Sequence, residues 1–180
     1  MDRIVLLTGE REVGKTRLCQ RVVEQAQRRG LSCKGVLSTA LFEGQEKVGI
    51  GLVDAASGEE RPLAAADDAP GEVRWGRYRF DASSLAWGAE LLSSATPCDL
   101  LVVDELGPLE LELGQGLVKA LDVLVRGGFA LALVVVRPAL IEEVRERLEG
   151  KQPLVLEVTL SNRDRLPGRI LSLLQEQAGQ

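Results

Sequence analysis

Short apolar runs alternate with amphipathic stretches along this chain, the pattern of a mainly parallel sheet covered by helices. RIVLLTG near the N-terminus predicts a buried strand. KTRLCQRVVEQAQRRG predicts a helix with Leu18, Val22 and Ala26 on one face and Gly30 closing it. Arg28 and Arg29 complement the dipole of its last turn. SCKGVLSTALF is the next strand. Over residues 43–81 the pattern breaks. KVGIGLVDAASGEERPLA reads as a strand, a turn at Ser57-Gly58 and a return strand, and RWGRYRFD as a third short strand. This segment is expected to be an antiparallel insertion on the sheet edge, anchored by Trp75, Tyr78 and Phe80. The alternation then resumes. ASSLAWGAELLSSA is a helix after Asp81, CDLLVVDELG a strand, LGQGLVKALDVLVRGG a helix and FALALVVVR a strand. PALIEEVRERLEG is a helix opening with Pro138, PLVLEVTL a strand and RDRLPGRILSLLQEQ the last helix. With no repeat or linker in sight, residues 1–180 are expected to form a single α/β domain.

The length of 180 residues suits one sizeable core, and 45% hydrophobic with 27% charged residues suits an ordinary globular protein. A net charge of -5 argues against a nucleic-acid partner. The longest apolar stretch, FALALVVV, is far short of a membrane span, and the N-terminal apolar run is too short for a signal-peptide core. The chain has no histidine, and Cys19, Cys33 and Cys98 are scattered, so zinc sites and histidine triads are excluded and a cytoplasmic setting is expected.

Candidate chemistry begins with Gly9-Glu10-Arg11-Glu12-Val13-Gly14-Lys15-Thr16, which has the spacing G-x-x-x-x-G-K-[ST] between a strand and a helix. Backbone N–H groups, the helix N-terminus and the Lys15 ammonium hold phosphates in such a loop. Its variable side chains point mostly outward, so Glu10 and Glu12 need not face the anion, and Arg11 and Lys15 offset their charge. Thr16 offers its hydroxyl to magnesium. LLVVDELGPLEL places Asp104 and Glu105 at the C-terminal edge of a buried strand, where open parallel sheets hold their ligands. Asp104 suits the magnesium acid, and Glu105 is placed to polarise a water beyond the terminal phosphate. Arg137, at the exit of its strand, either reaches the phosphates from the same edge or is a surface arginine. Asn162, in SNRDR, is either an N-cap of the final helix or a contact to the nucleotide.

With both phosphate motifs and NRD in hand, the chain resembles the THEP-type nucleoside-triphosphatase family over nearly its full length. GVLSTALFEGQEKVGIGLVDAASGEERPLA is similar to the family's glycine-rich hairpin region, WGRYRFD to the strand that follows, VVDELGPLEL to its acid strand and SNRDRL to its late motif. The resemblance implies a three-layer, RecA-like P-loop fold. It also implies slow, magnesium-dependent hydrolysis of ATP, GTP and other nucleoside triphosphates with loose base choice. In such a sheet the strand before Arg137 lies between the P-loop strand and the Asp104 strand. The bulky EREV departs from the small residues usual before GKT in the family. Three other readings fit parts of the sequence. DELG satisfies the D-x-x-G of a GTPase switch, but the guanine-reading N-K-x-D is missing. A nucleotide or nucleoside kinase needs an acceptor site, and a nucleotide-binding adaptor would show negligible turnover.

Overall fold

The computed structural model describes residues 2–66, 73–75, 78–106, 118–148 and 150–178. Among these residues nine strands form one sheet: β1 (Arg3–Thr8), β2 (Cys33–Glu43), β3 (Glu46–Asp54), β4 (Glu60–Ala66), β5 (Val73–Trp75), β6 (Tyr78–Phe80), β7 (Cys98–Leu106), β8 (Phe129–Val136) and β9 (Leu154–Glu157). Their order is β5-β6-β4-β3-β2-β7-β8-β1-β9. The pairs from β2 through β7, β8 and β1 to β9 are parallel, and the pairs from β2 outward to β5 are antiparallel.

Alternate residues of the parallel strands feed two separate cores, as the period of two requires. Ile4, Leu6, Leu101, Val103, Ala132 and Val134 face one side, covered by α2 (Ala82–Ser93), α3 (Lys119–Arg126) and α4 (Ile141–Arg147). Val5, Leu7, Leu100, Val102, Leu131 and Leu133 face the other, covered by α1 (Lys15–Arg28) and α5 (Leu166–Ala178). This is the expected three-layer α/β architecture, and β8 does lie between β1 and β7.

Local chemistry sets the element ends. Asp81 caps α2 by accepting from the Ser84 N–H at 2.7 Å. Gly30, at φ 77, follows α1 and its N–H donates to the Gln27 carbonyl at 2.9 Å. Pro138 opens a 3-10 turn, Pro138–Leu140, before α4.

Two expectations change. The antiparallel extension grows from the middle of β2 rather than from residue 43. β2 pairs with β7 only from Cys33 to Val36, then continues against β3 up to Glu43. RWGRYRFD is two short strands, β5 and β6, paired with one another instead of one. Of the aromatic trio, Phe80 packs against the α2-side core, while the Tyr78 ring carries Lys47 at 5.8 Å. The expected helix after the acid strand is seen from Lys119, its first residues lying outside the described ones.

Candidate functional site

At the end of β1 the chain passes through Gly9 at φ 142. A Cβ there would sit 2.5 Å from the Val158 carbonyl oxygen, just beyond β9, whose own N–H donates to the Thr8 carbonyl at 2.8 Å. Only glycine permits both that dihedral and that approach. Gly9→Ala is therefore expected to lower stability by about 1–3 kcal/mol and to displace the loop, read by thermal unfolding.

The three charged variable residues, Glu10, Arg11 and Glu12, are exposed, as expected. Glu12 takes a left-handed φ of 63, rare for a residue with a side chain. Val13 departs from the expectation: it is buried in the core beneath α1, because an apolar side chain gains more there than in solvent. Gly14, at φ 104, opens α1 with no side-chain cap, so the first N–H groups of the helix stay free for an anion.

Lys15 folds its ammonium over the loop, donating to the Gly9 and Glu10 carbonyls at 2.7 Å each. Burial lowers its pKa; Glu105, Asp104 and Glu10 oppose that shift, and Arg137 adds to it. Residues far apart in the chain therefore share one electrostatic environment around this ammonium.

Asp104 is 1% exposed. Its carboxyl is raised to about 7: burial is the largest cause and Glu105 adds to it, while hydrogen bonds from Thr16 and the Ser38 N–H and the charge of Lys15 work against it. The Ser38 N–H donates to Asp104 Oδ2 at 3.2 Å, and the Ser38 hydroxyl donates to the Asp104 carbonyl at 2.5 Å. One serine on β2 thus fixes both the backbone and the carboxylate of the acid. Thr16 and Asp104 are hard oxygen donors already in contact, a donor set that suits magnesium completed by phosphate oxygens and water.

Beside this pair the β7–β8 register shifts: Asp104 lies opposite Val135 and Leu106 opposite Val136, leaving Glu105 as the extra residue of a bulge. The bulge turns Glu105 toward the end of β8, where Arg137 Nε donates to its Oε1 at 2.6 Å. Both side chains stay about half exposed, 53% for Arg137 and 40% for Glu105, so the pair faces solvent above the sheet edge.

Asn162 does not cap the final helix. α5 begins at Leu166, and the Asn162 side chain turns back instead: Oδ1 accepts from the Thr159 N–H at 2.8 Å and Nδ2 donates to the Glu157 carbonyl at 2.9 Å. Those bonds satisfy two backbone groups where the chain leaves β9. Its neighbour Arg163 reaches the phosphate loop, donating from Nη1 to the Val13 carbonyl at 3.3 Å. Asp164 pairs with Arg21 of α1 at 3.1 Å.

The sequence reading missed Ser38 and Arg163. Nothing local marks Ser38, whose contact to Asp104 spans 66 positions. SNRDR drew attention to its asparagine, while the residue one place later is the one against the loop.

Comparisons with known proteins agree with this architecture. The family model described as NTPase matches residues 4–171. The chain is 34% identical to the nucleoside-triphosphatase THEP1 of Methanopyrus kandleri over 98% of this chain and 97% of that protein. It is 30% identical to the mouse (Mus musculus) cancer-related nucleoside-triphosphatase homolog, over 97% and 98%. The solution structure of the human cancer-related nucleoside triphosphatase superposes with a TM-score of 0.74 at 28% identity, covering 97% of this chain and 98% of that one. The crystal structure of THEP1 from Aquifex aeolicus has a TM-score of 0.68 at 20% identity, over 97% and 99%, a likeness of fold. A P-loop, a buried acid on the second strand away and a match along nearly the whole chain lead to one assignment: this protein belongs to the nucleoside-triphosphatase family.

Proposed function

We propose that the chain hydrolyses nucleoside triphosphates to diphosphate and phosphate, depends on magnesium, discriminates weakly between bases and works in the cytoplasm as a single domain. The observation that carries this reading is the meeting of Lys15, Thr16, Asp104, Glu105 and Arg137 at one sheet edge. Gly9 to Thr16 would wrap the phosphates with backbone N–H groups, and Lys15 would swing from the loop carbonyls to the terminal phosphates. Thr16 and Asp104 would hold magnesium, which supplies charge neutralisation on the phosphate oxygens when bound. Glu105 would orient the attacking water and accept its proton. Arg137 would turn from Glu105 toward charge growing on the transferred phosphoryl group.

Phosphate release measured on a panel of nucleotides, with magnesium and with a chelator, tests the reading. ATP and GTP are expected to turn over at rates within about tenfold, since tenfold requires only about 1.4 kcal/mol of discrimination. A preference above a hundredfold, or undiminished release in chelator, contradicts it.

The buried acid gives a pH dependence. The Asp104 carboxyl stands at about 7 in the fold, above its ordinary value of 3.8. The raised value means that its protonated form is favoured by folding. Its stabilising contribution is fully present below the ordinary value and is lost as pH rises through about 7. Magnesium binding needs the ionised form and must expel that proton. Magnesium affinity of the nucleotide complex is therefore expected to fall by up to about tenfold per pH unit below the raised value. Titrations at pH 6 and 8 check this, and Asp104→Asn should reduce the difference to that set by the nucleotide's own terminal phosphate.

A further inference from the structure

The turn after β9 is part of the same surface as the phosphate loop, and the sheet order says which end of a nucleotide would lie there. β8 and β7, carrying Arg137, Asp104 and Glu105, stand on one side of β1, and β9 stands on the other. If the terminal phosphate meets the acid pair, the nucleoside must leave the loop in the opposite direction. That direction leads past Gly14 toward the turn at residues 159–165.

Two side chains wait there. The Cδ and Nη1 of Arg163 lie 3.8 Å from where a Gly14 Cβ would stand, so the guanidinium rests on the last glycine of the loop. Leu160, on the same turn, is 71% exposed, the most exposed of the large apolar residues among those described. The turn is tied down by the Asn162 amide, by Arg163 on Val13 and by Asp164 on Arg21.

We infer that Arg163 and Leu160 form the platform for the nucleobase, and that this platform grips a base by its flat face and not by its edge. Every base has a π-face, and a guanidinium or an apolar side chain meets all of them alike. Edge reading needs hydrogen-bonding groups aimed at the base in its own plane. In this turn the Asn162 amide is engaged at both its oxygen and its nitrogen, Asp164 Oδ1 accepts from Arg21, and Arg163 Nη1 donates to the Val13 carbonyl. The inference rests on reading the loop as a triphosphate site and supplies a cause for weak base choice.

The test compares binding of ATP, GTP and inorganic tripolyphosphate, each with magnesium, by calorimetry on the full chain. Tripolyphosphate occupies the phosphate loop and has no nucleoside, so it reports the loop alone. Arg163→Ala is expected to weaken ATP and GTP alike by about tenfold and tripolyphosphate by less than about twofold. Leu160→Ser is expected to weaken both nucleotides by about threefold. Arg163→Lys, which keeps the charge but loses the planar fork, should restore only part of the loss. An equal loss for tripolyphosphate would make Arg163 a brace for the loop through Val13 and overturn the platform. A loss confined to one of the two bases would overturn face reading. If the wild-type chain binds tripolyphosphate as tightly as ATP, the nucleoside touches nothing and the platform is wrong while the phosphate site stands. If it binds neither, both readings fall.

Discussion

Lys15→Ala is expected to lower nucleotide turnover by about 10²–10³-fold, roughly 3–4 kcal/mol of transition-state stabilisation, and to weaken triphosphate binding as well. Lys15 is half-buried and shares the field of Asp104, Glu105 and Glu10, carboxylates whose charge it offsets and which would otherwise repel a polyphosphate. Alanine leaves those charges uncompensated. It also removes the two bonds from the ammonium to the Gly9 and Glu10 carbonyls, so the loop should be looser before any ligand arrives. Lys15→Met removes the charge and both bonds as alanine does but keeps most of the apolar stem, so any difference between the two variants reports the packing of that stem. Both variants should unfold cooperatively within a few degrees of the wild type. Phosphate release at the wild-type rate from a folded Lys15→Ala protein would show that this loop is not the site.

Glu105→Gln is expected to keep nucleotide and magnesium binding and to lose about 10²–10⁴ of the hydrolysis rate. Glutamine has the same length and a hydrogen-bonding tip but no carboxylate to accept a proton. Its amide oxygen can still receive the Arg137 Nε–H that the carboxylate receives at 2.6 Å, so the bulge and its neighbour should stay in place. The loss should appear in kcat with KM little changed, the signature of an interaction used only in the transition state. Arg137→Ala should also act mainly on kcat, by about ten- to a thousandfold, and should free Glu105 to move. Arg137→Lys should recover only part of that loss, because a lysine cannot present the planar fork. Normal hydrolysis by Glu105→Gln would mean that another group positions the water, and the acid-pair argument would fail.

Some of this site was written in contiguous residues. The phosphate loop was legible because its spacing encodes a local backbone path, strand to glycine turn to helix, which no distant residue needs to complete. The Asp104-Glu105 pair was legible as acids at the end of an apolar run, and the two faces of the parallel strands followed from their continuous apolar sequence. The positions of Leu18, Val22 and Ala26 on one buried helix face were also fixed by period alone.

Tertiary structure decided the rest. An apolar strand looks the same in every strand order, so only the family resemblance led to β8 lying between β1 and β7, and only the fold put Arg137 on Glu105. The bulge that turns Glu105 is a mismatch of register between two strands, a property of neither sequence alone. Ser38 could not be singled out, since its value comes from β2 passing beside β7 just before it turns away to pair with β3. For Asn162 the local sequence allows a helix cap or a nucleotide contact, whereas its side chain bonds backbone groups at the end of β9. The sequence by itself determined the chemistry available and the elements that carry it. Which of those groups face one another was decided by packing, because burial of two apolar faces is satisfied by many strand orders and side-chain contact by very few.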